Sequence, residues 1–138
     1  MVILSEYLFL IPLVVLFLSE VAKILVEYVK TGDWDEGIFK TGGMPSSHSA
    51  FVTSLIIIVY QKLGMQSVEF AMAFVFASVV WYDAMSVRKA VGMQAEILNK
   101  LQRKQMLKTR LGHSFVEVLA GIIFGAVVTQ IGVWVSRF

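Results

Sequence analysis

The amino-acid sequence predicts an all-α integral membrane bundle with about four transmembrane helices, and three observations carry that prediction. The 138 residues are 57% hydrophobic and 16% charged, where soluble domains have about 45–50% and about 25%. Mean hydropathy is +0.75; a chain of this size has too few polar residues to cover a water-exposed surface. Finally, the apolar residues fall into four stretches of helical, membrane-crossing length.

A hydrocarbon layer about 30 Å thick takes roughly 20 mainly apolar helical residues. The first span is placed at about residues 3–29 and contains Glu6, Glu20, Lys23 and Glu27. A signal peptide is the competing reading, and an acidic Glu6 with no basic leader argues against it. Glu20, Lys23, Glu27 and Lys30 recur at helical spacing and share one face. Ionisable groups at membrane depth usually face a bundle interior or a water-filled cavity. Snorkelling at a helix end accounts for Lys30 more readily than for Lys23, two turns deeper. The second span, about 46–62, lies in a segment uncharged from Thr41 to Gln61. The third, about 67–84, is apolar from Phe70 to Tyr82, between Glu69 and Asp83. The fourth, about 112–136, is uncharged from Val118 to Ser136. With no repeat, linker or low-complexity segment, residues 1–138 read as one membrane domain.

Four spans put the termini and the 62–68 loop on one face and the 30–46 loop and a basic segment, 85–111, on the other. Seven of the twelve lysines and arginines (Arg88, Lys89, Lys100, Arg103, Lys104, Lys108, Arg110) lie in that segment with one acid, Glu96. Positive charge flanking spans marks the cytoplasmic side, so the expected location is a bacterial cytoplasmic membrane with this face inward. Lys100, Arg103, Lys104 and Lys108 suit contact with anionic lipids. Arg88, Gly92, Ala95 and Asn99 follow helical spacing, a small-residue face for close packing; Asp83 and Gln94 join them as candidates for a structured role. A net charge of +2 is too mild to suggest nucleic acid. The absence of cysteine excludes disulfides, thiolate metal sites and cysteine nucleophiles.

The chemistry-bearing residues gather on that inward face. Gly42-Gly43-Met44-Pro45-Ser46-Ser47-His48-Ser49 precedes the second span. Glycines let the backbone approach a ligand, Pro45 suits a first helical turn, and Ser46 or Ser47 suits the cap. Free N–H groups at such a helix start attract anions, phosphate above all. His113, the only other histidine, opens the fourth span with Glu117 one turn later. There the carboxylate can fix the imidazole tautomer and raise its basicity. Asp83, Arg88 and Lys23 lie toward the same face.

Pro45-Ser46-Ser47-His48 resembles the Pro-Ser-Gly-His motif of the type-2 phosphatidic acid phosphatases and vanadium haloperoxidases. His113-x3-Glu117, followed by Val118-Leu119-Ala120-Gly121, resembles their last motif, a histidine with aspartate four residues on. Lys23, six residues, then Lys30-Thr31 matches the spacing of their lysine-x6-arginine-proline motif. Together with Asp83-Ala-Met-Ser-Val-Arg88, Gly92-x-Gln94-Ala95 and Leu111-Gly112-His113, the pattern resembles most closely the divergent branch of this superfamily. The resemblance implies a metal-independent phosphomonoesterase without cofactor, acting on a lipid phosphate. His113 would attack phosphorus, oriented by Glu117, and His48 would protonate the leaving oxygen. Lys23, Ser46, Ser47, Gly43 and an arginine would hold the phosphoryl oxygens, with Asp83, Lys30, Arg110, Gln94 and Asn99 in support. The superfamily's arginine six residues before the last histidine is Leu107 here, so Arg88 or Arg110 must replace it; Arg88 is favoured by its place beside Asp83. Ser47 stands for the motif glycine and Glu117 for aspartate.

Two other classes compete. One is a non-catalytic phospholipid- or anion-binding membrane protein, a transporter or scaffold using the same pocket. The other is a metal site from His48, His113, Asp83 and Glu117. Membrane lipids are the expected partners, and homo-oligomerisation is a possible use of Gly112, Gly121 and Gly125.

Overall fold

The computed structural model describes residues 9–32, 42–101, 107–109 and 111–136. The architecture is all-α, with no strand among the described residues. Helix α1 is Leu10–Thr31, α2 Ser47–Leu63, α3 Val68–Tyr82, α4 Arg88–Leu101 and α5 Phe115–Ser136. A π-helical turn, Asp83–Val87, joins α3 to α4 without a break. The expected basic segment is therefore, as far as Leu101, a direct continuation of the third helix, one 34-residue helix from Val68 to Leu101.

Local chemistry sets the starts. Ser67 caps α3, its hydroxyl accepting from the Phe70 N–H at 3.1 Å, and Glu69 complements the dipole in the first turn. Ser114 and Glu117 form a capping box at α5: Ser114 N–H donates to Glu117 Oε2 at 2.7 Å, and Glu117 N–H donates to Ser114 Oγ at 3.3 Å. α5 therefore begins at Phe115, and His113 precedes the helix instead of opening it.

α2 is the central helix and packs against α1, α3 and α5. Ile11, Val15, Ala50 and Ile58 form the core, with Phe124, Val128 and Val133 against them. The α2–α5 contact is the tightest. A Cβ on Gly121 would stand 2.4 Å from the Ser46 carbonyl oxygen, and one on Gly125 2.4 Å from that of Ala50. These glycines, four apart, give one helix a groove in which another helix's backbone can lie. They pack against this chain's own α2, and Gly112 packs against Ala84 and Lys89, so these intrachain contacts are the use the structure makes of all three.

The outer surface is apolar: on α3, Val68, Met72, Val75, Phe76 and Val79 are each more than half exposed. An oily exterior over an interior rich in small and hydroxyl residues, among them Ala50, Ala77, Ser49, Ser54 and Thr129, inverts the pattern of a water-soluble bundle. Val68–Leu101 and Phe115–Ser136 are each long and apolar enough to cross a membrane. α1 is interrupted by Glu20, Lys23 and Glu27, and α2 has 17 residues.

Candidate functional site

Four segments meet at one end of the bundle. α2 and α5 both begin there, so two helix N-termini, each with partial positive charge and N–H groups lacking intrahelical acceptors, point into the same region. α3 ends there in the π turn, and α1 passes with Glu20 and Lys23.

Gly42 and Gly43 bring the 42–46 loop into this end. Gly43 has φ +97°, where a side chain would be strained by the backbone, and the Lys23 stem lies within ordinary contact, 3.5 Å from where its Cβ would be. The loop meets the chain before α5 where Gly42 approaches the Gly112 carbonyl. Pro45 falls before the helix, not in its first turn, because α2 starts at Ser47 with Ser46 as N-cap. Ser46 caps nothing with its side chain. Its Oγ accepts from the Ser49 hydroxyl at 2.9 Å, and its N–H donates to the Glu117 carbonyl at 3.2 Å. The Ser46 N–H is thus spent tying α2 to α5. At the helix start, Ser47 and His48 keep N–H groups free of intrahelical acceptors.

Lys23, its side chain 16% exposed, pairs with Glu20 one turn earlier, and the Glu20 carboxylate also engages the Ser47 hydroxyl. The charges of Arg88, Glu20, Lys23 and Asp83 all reach His48. Those of Glu117, His48, Arg88 and Lys23 reach His113. The two histidines, a lysine and an arginine from four separate segments therefore form one electrostatic cluster. Arg88 Nε donates to Asp83 Oδ2 at 2.7 Å, which holds the guanidinium at the π turn.

The His113 side chain is 9% exposed. Burial pushes its imidazole below the ordinary histidine value, Glu117 opposes that shift, and His48, Arg88 and Lys23 add to it. The imidazole is therefore neutral at pH 7, as a nucleophile requires. Glu117 Oε2 lies 3.6 Å from His113 Nδ1, too far for a hydrogen bond, and Nδ1 is a buried atom without a partner. The expected orienting bond is absent because that oxygen is committed to the Ser114 N–H.

The remaining expected residues separate. Lys30 is exposed in the last turn of α1, about 10 Å along the helix from Lys23 at 1.5 Å per residue. Gln94 is exposed on α4. Asn99 clamps the returning chain: its Nδ2 donates to the Leu107 carbonyl at 2.8 Å and its Oδ1 accepts the Leu107 N–H at 2.7 Å. Arg110 lies outside the described residues. No three His, Asp or Glu side chains converge as metal ligands among the described residues. Two contributors escaped the sequence reading, Ser114 and Ala84, whose carbonyl accepts the His113 N–H at 2.8 Å; Glu20 was read on the Lys23 face without being placed at the site. The Ser-x-x-Glu spacing of Ser114 and Glu117 was a legible signal, and so was the spacing of Glu20 to Lys23.

The family described as Divergent PAP2 matches residues 4–128, a range containing every residue of the cluster. The uncharacterized membrane protein YuiD of Bacillus subtilis (strain 168) is 31% identical, over 95% of this chain and 96% of its own length. No solved structure matches. With its family match running through both histidine motifs and its apolar surface turned outward, this chain is a membrane protein belonging to the Divergent PAP2 family.

Proposed function

We propose that this protein is an integral membrane phosphatase that hydrolyses a lipid phosphate monoester through a phosphohistidine. The observation that carries the reading is the meeting of His113, His48, Lys23 and Arg88 at two helix N-termini. Phosphoryl transfer needs positioning and positive charge above elaborate chemistry. The neutral His113 imidazole attacks phosphorus as the bond to the lipid oxygen breaks. The fraction of His48 that carries a proton gives it to that oxygen. Water then attacks the phosphohistidine, giving its proton to His48 and releasing phosphate. Lys23, Arg88 and the N–H groups of Ser47 and His48 hold the phosphoryl oxygens, and Glu117 stabilises the imidazolium that forms. The basic residues of 85–111 set this site toward the cytoplasm of a bacterial membrane.

The deciding experiment is phosphate release from a panel of lipid phosphates by purified protein. Wild type turns over, His113→Ala does not, EDTA has no effect, and vanadate inhibits as a mimic of the pentacoordinate transition state. Robust turnover by His113→Ala ends the phosphohistidine reading. The unbonded Nδ1 of His113 and the commitment of Glu117 to Ser114 favour the second reading, a non-catalytic anion or phospholipid binder. Thermal stabilisation by phosphate with no turnover of any lipid decides for it.

A further inference from the structure

In an α-helix the N–H of residue i+4 closes on carbonyl i. At the end of α3 that ladder slips by one residue: the Arg88 N–H donates to the Asp83 carbonyl, the i to i+5 bond of a π turn. Asp83 takes the donor that Ala84 would otherwise receive, so the Ala84 carbonyl leaves the ladder. The His113 N–H occupies it at 2.8 Å.

The chain arriving at that bond is fitted to the helix. Asn99 holds Leu107 by both backbone groups. Gly92 admits the Thr109 carbonyl, 2.4 Å from where a Cβ would sit. Gly112, at φ +88°, lies so close that a Cβ would stand 2.9 Å from Lys89 N and 3.1 Å from the Ala84 carbonyl oxygen. The same slip aligns charge. Five residues along an α-helix turn about 500°, leaving Asp83 and Arg88 about 140° apart. The π turn stacks them, and their 2.7 Å ion pair closes.

We propose that the extra residue of the π turn is the positioning element of the site: it releases the Ala84 carbonyl to hold His113 by its backbone, making Ala84 and Gly112 positioning residues for that histidine. The functional consequence rests on His113 being the nucleophile; the docking itself does not.

Deleting Val87, which is exposed, isolates the effect. The α-ladder then closes: Arg88 becomes the i+4 donor for Asp83 and Lys89 for Ala84. The Asp83–Arg88 pair survives at i, i+4 spacing, and only the carbonyl that held His113 is withdrawn. Gly112→Ala reaches the same end from the loop side with the helix untouched, and it decides the matter if the deletion does not fold. Both folded variants are expected to lose about 100-fold in kcat on a lipid phosphate, the scale of a 1 Å misplacement. KM stays within about threefold, because Lys23 and Arg88 are retained. An independent readout is the imidazole titration of 15N-histidine-labelled protein, with His113 assigned against His113→Ala. Wild-type His113 titrates below the ordinary value of about 6.5, and in both variants it moves toward it. A folded variant with wild-type kcat and an unshifted His113 titration overturns the proposal. If wild type turns over no lipid phosphate, the phosphatase reading fails, and the titration alone still decides whether the π turn docks His113.

Discussion

Replacing Gly121 with alanine sets a methyl carbon 2.4 Å from the Ser46 carbonyl oxygen and 3.0 Å from the Ser49 Cβ. Comfortable carbon–oxygen contact begins near about 3.3 Å, so α2 and α5 must separate by roughly 0.9 Å. Neither obstacle is a flexible side-chain end, so the backbones have to move. Forced overpacking of this kind costs about 1–3 kcal/mol. The 3.2 Å bond from the Ser46 N–H to the Glu117 carbonyl stretches beyond use, adding about 1 kcal/mol. A total of about 2–4 kcal/mol is a large share of the 5–15 kcal/mol that holds a typical fold. Gly125→Ala is the control. Its methyl would stand 2.4 Å from the Ala50 carbonyl oxygen, the same insult about 6 Å deeper along α5, with no site residue on it. Thermal unfolding of both variants in one detergent should show comparable losses. Stabilisation by added vanadate should fall further for Gly121→Ala, because Ser47 and His48 shift relative to His113. A Gly121→Ala protein that melts with wild type refutes the close-packed α2–α5 contact. Equal vanadate response in the two variants refutes the link from that contact to the site.

Three further outcomes follow from the same geometry. Because burial holds His113 below the ordinary value, the acid limb of turnover, where His113 gains a proton, should lie below about 6.5. Glu117→Gln removes the carboxylate that opposes the shift and should move this acid limb lower still; an acid limb above the ordinary value contradicts the assignment. Glu20 holds Lys23 and Ser47, so Glu20→Gln should tighten vanadate binding severalfold by removing an internal competitor, and weakened binding by titration calorimetry would count against that role. The Ser54 hydroxyl is fully buried without a hydrogen-bond partner, so Ser54→Ala should leave thermal stability unchanged or raise it by up to about 1 kcal/mol; a marked loss would mean the hydroxyl has a partner after all.

Much of the fold was legible because the signals are local or averaged. The apolar stretches follow from composition over some twenty residues, whereas the helix starts at Ser67 and Ser114, set by side chains bonding the backbone three residues on, were local signals that the reading of His113 as the helix opening passed over. His48 and His113 announced themselves by motif and by position at two helix starts. The errors share a different origin. Glu117 is four residues from His113, the right spacing for an orienting bond, yet its oxygen is taken by a nearer backbone N–H. Ser46 reads as an anion-binding N–H, but α5 supplies a carbonyl that claims it. Gly121 and Gly125 were not misread but left open between contacts between copies and contacts within one chain, and the placement of α2 supplies the intrachain contact they make.

By itself the sequence determined the solvent, the helices and the kinds of chemistry present. Those depend on transfer energies summed over some twenty residues and on spacings within a turn or two. The tertiary structure decided which donor meets which acceptor. A hydrogen bond is made or lost over a few tenths of an ångström, and the slip of one residue at Asp83–Val87 decides whether Ala84 serves its own helix or holds His113.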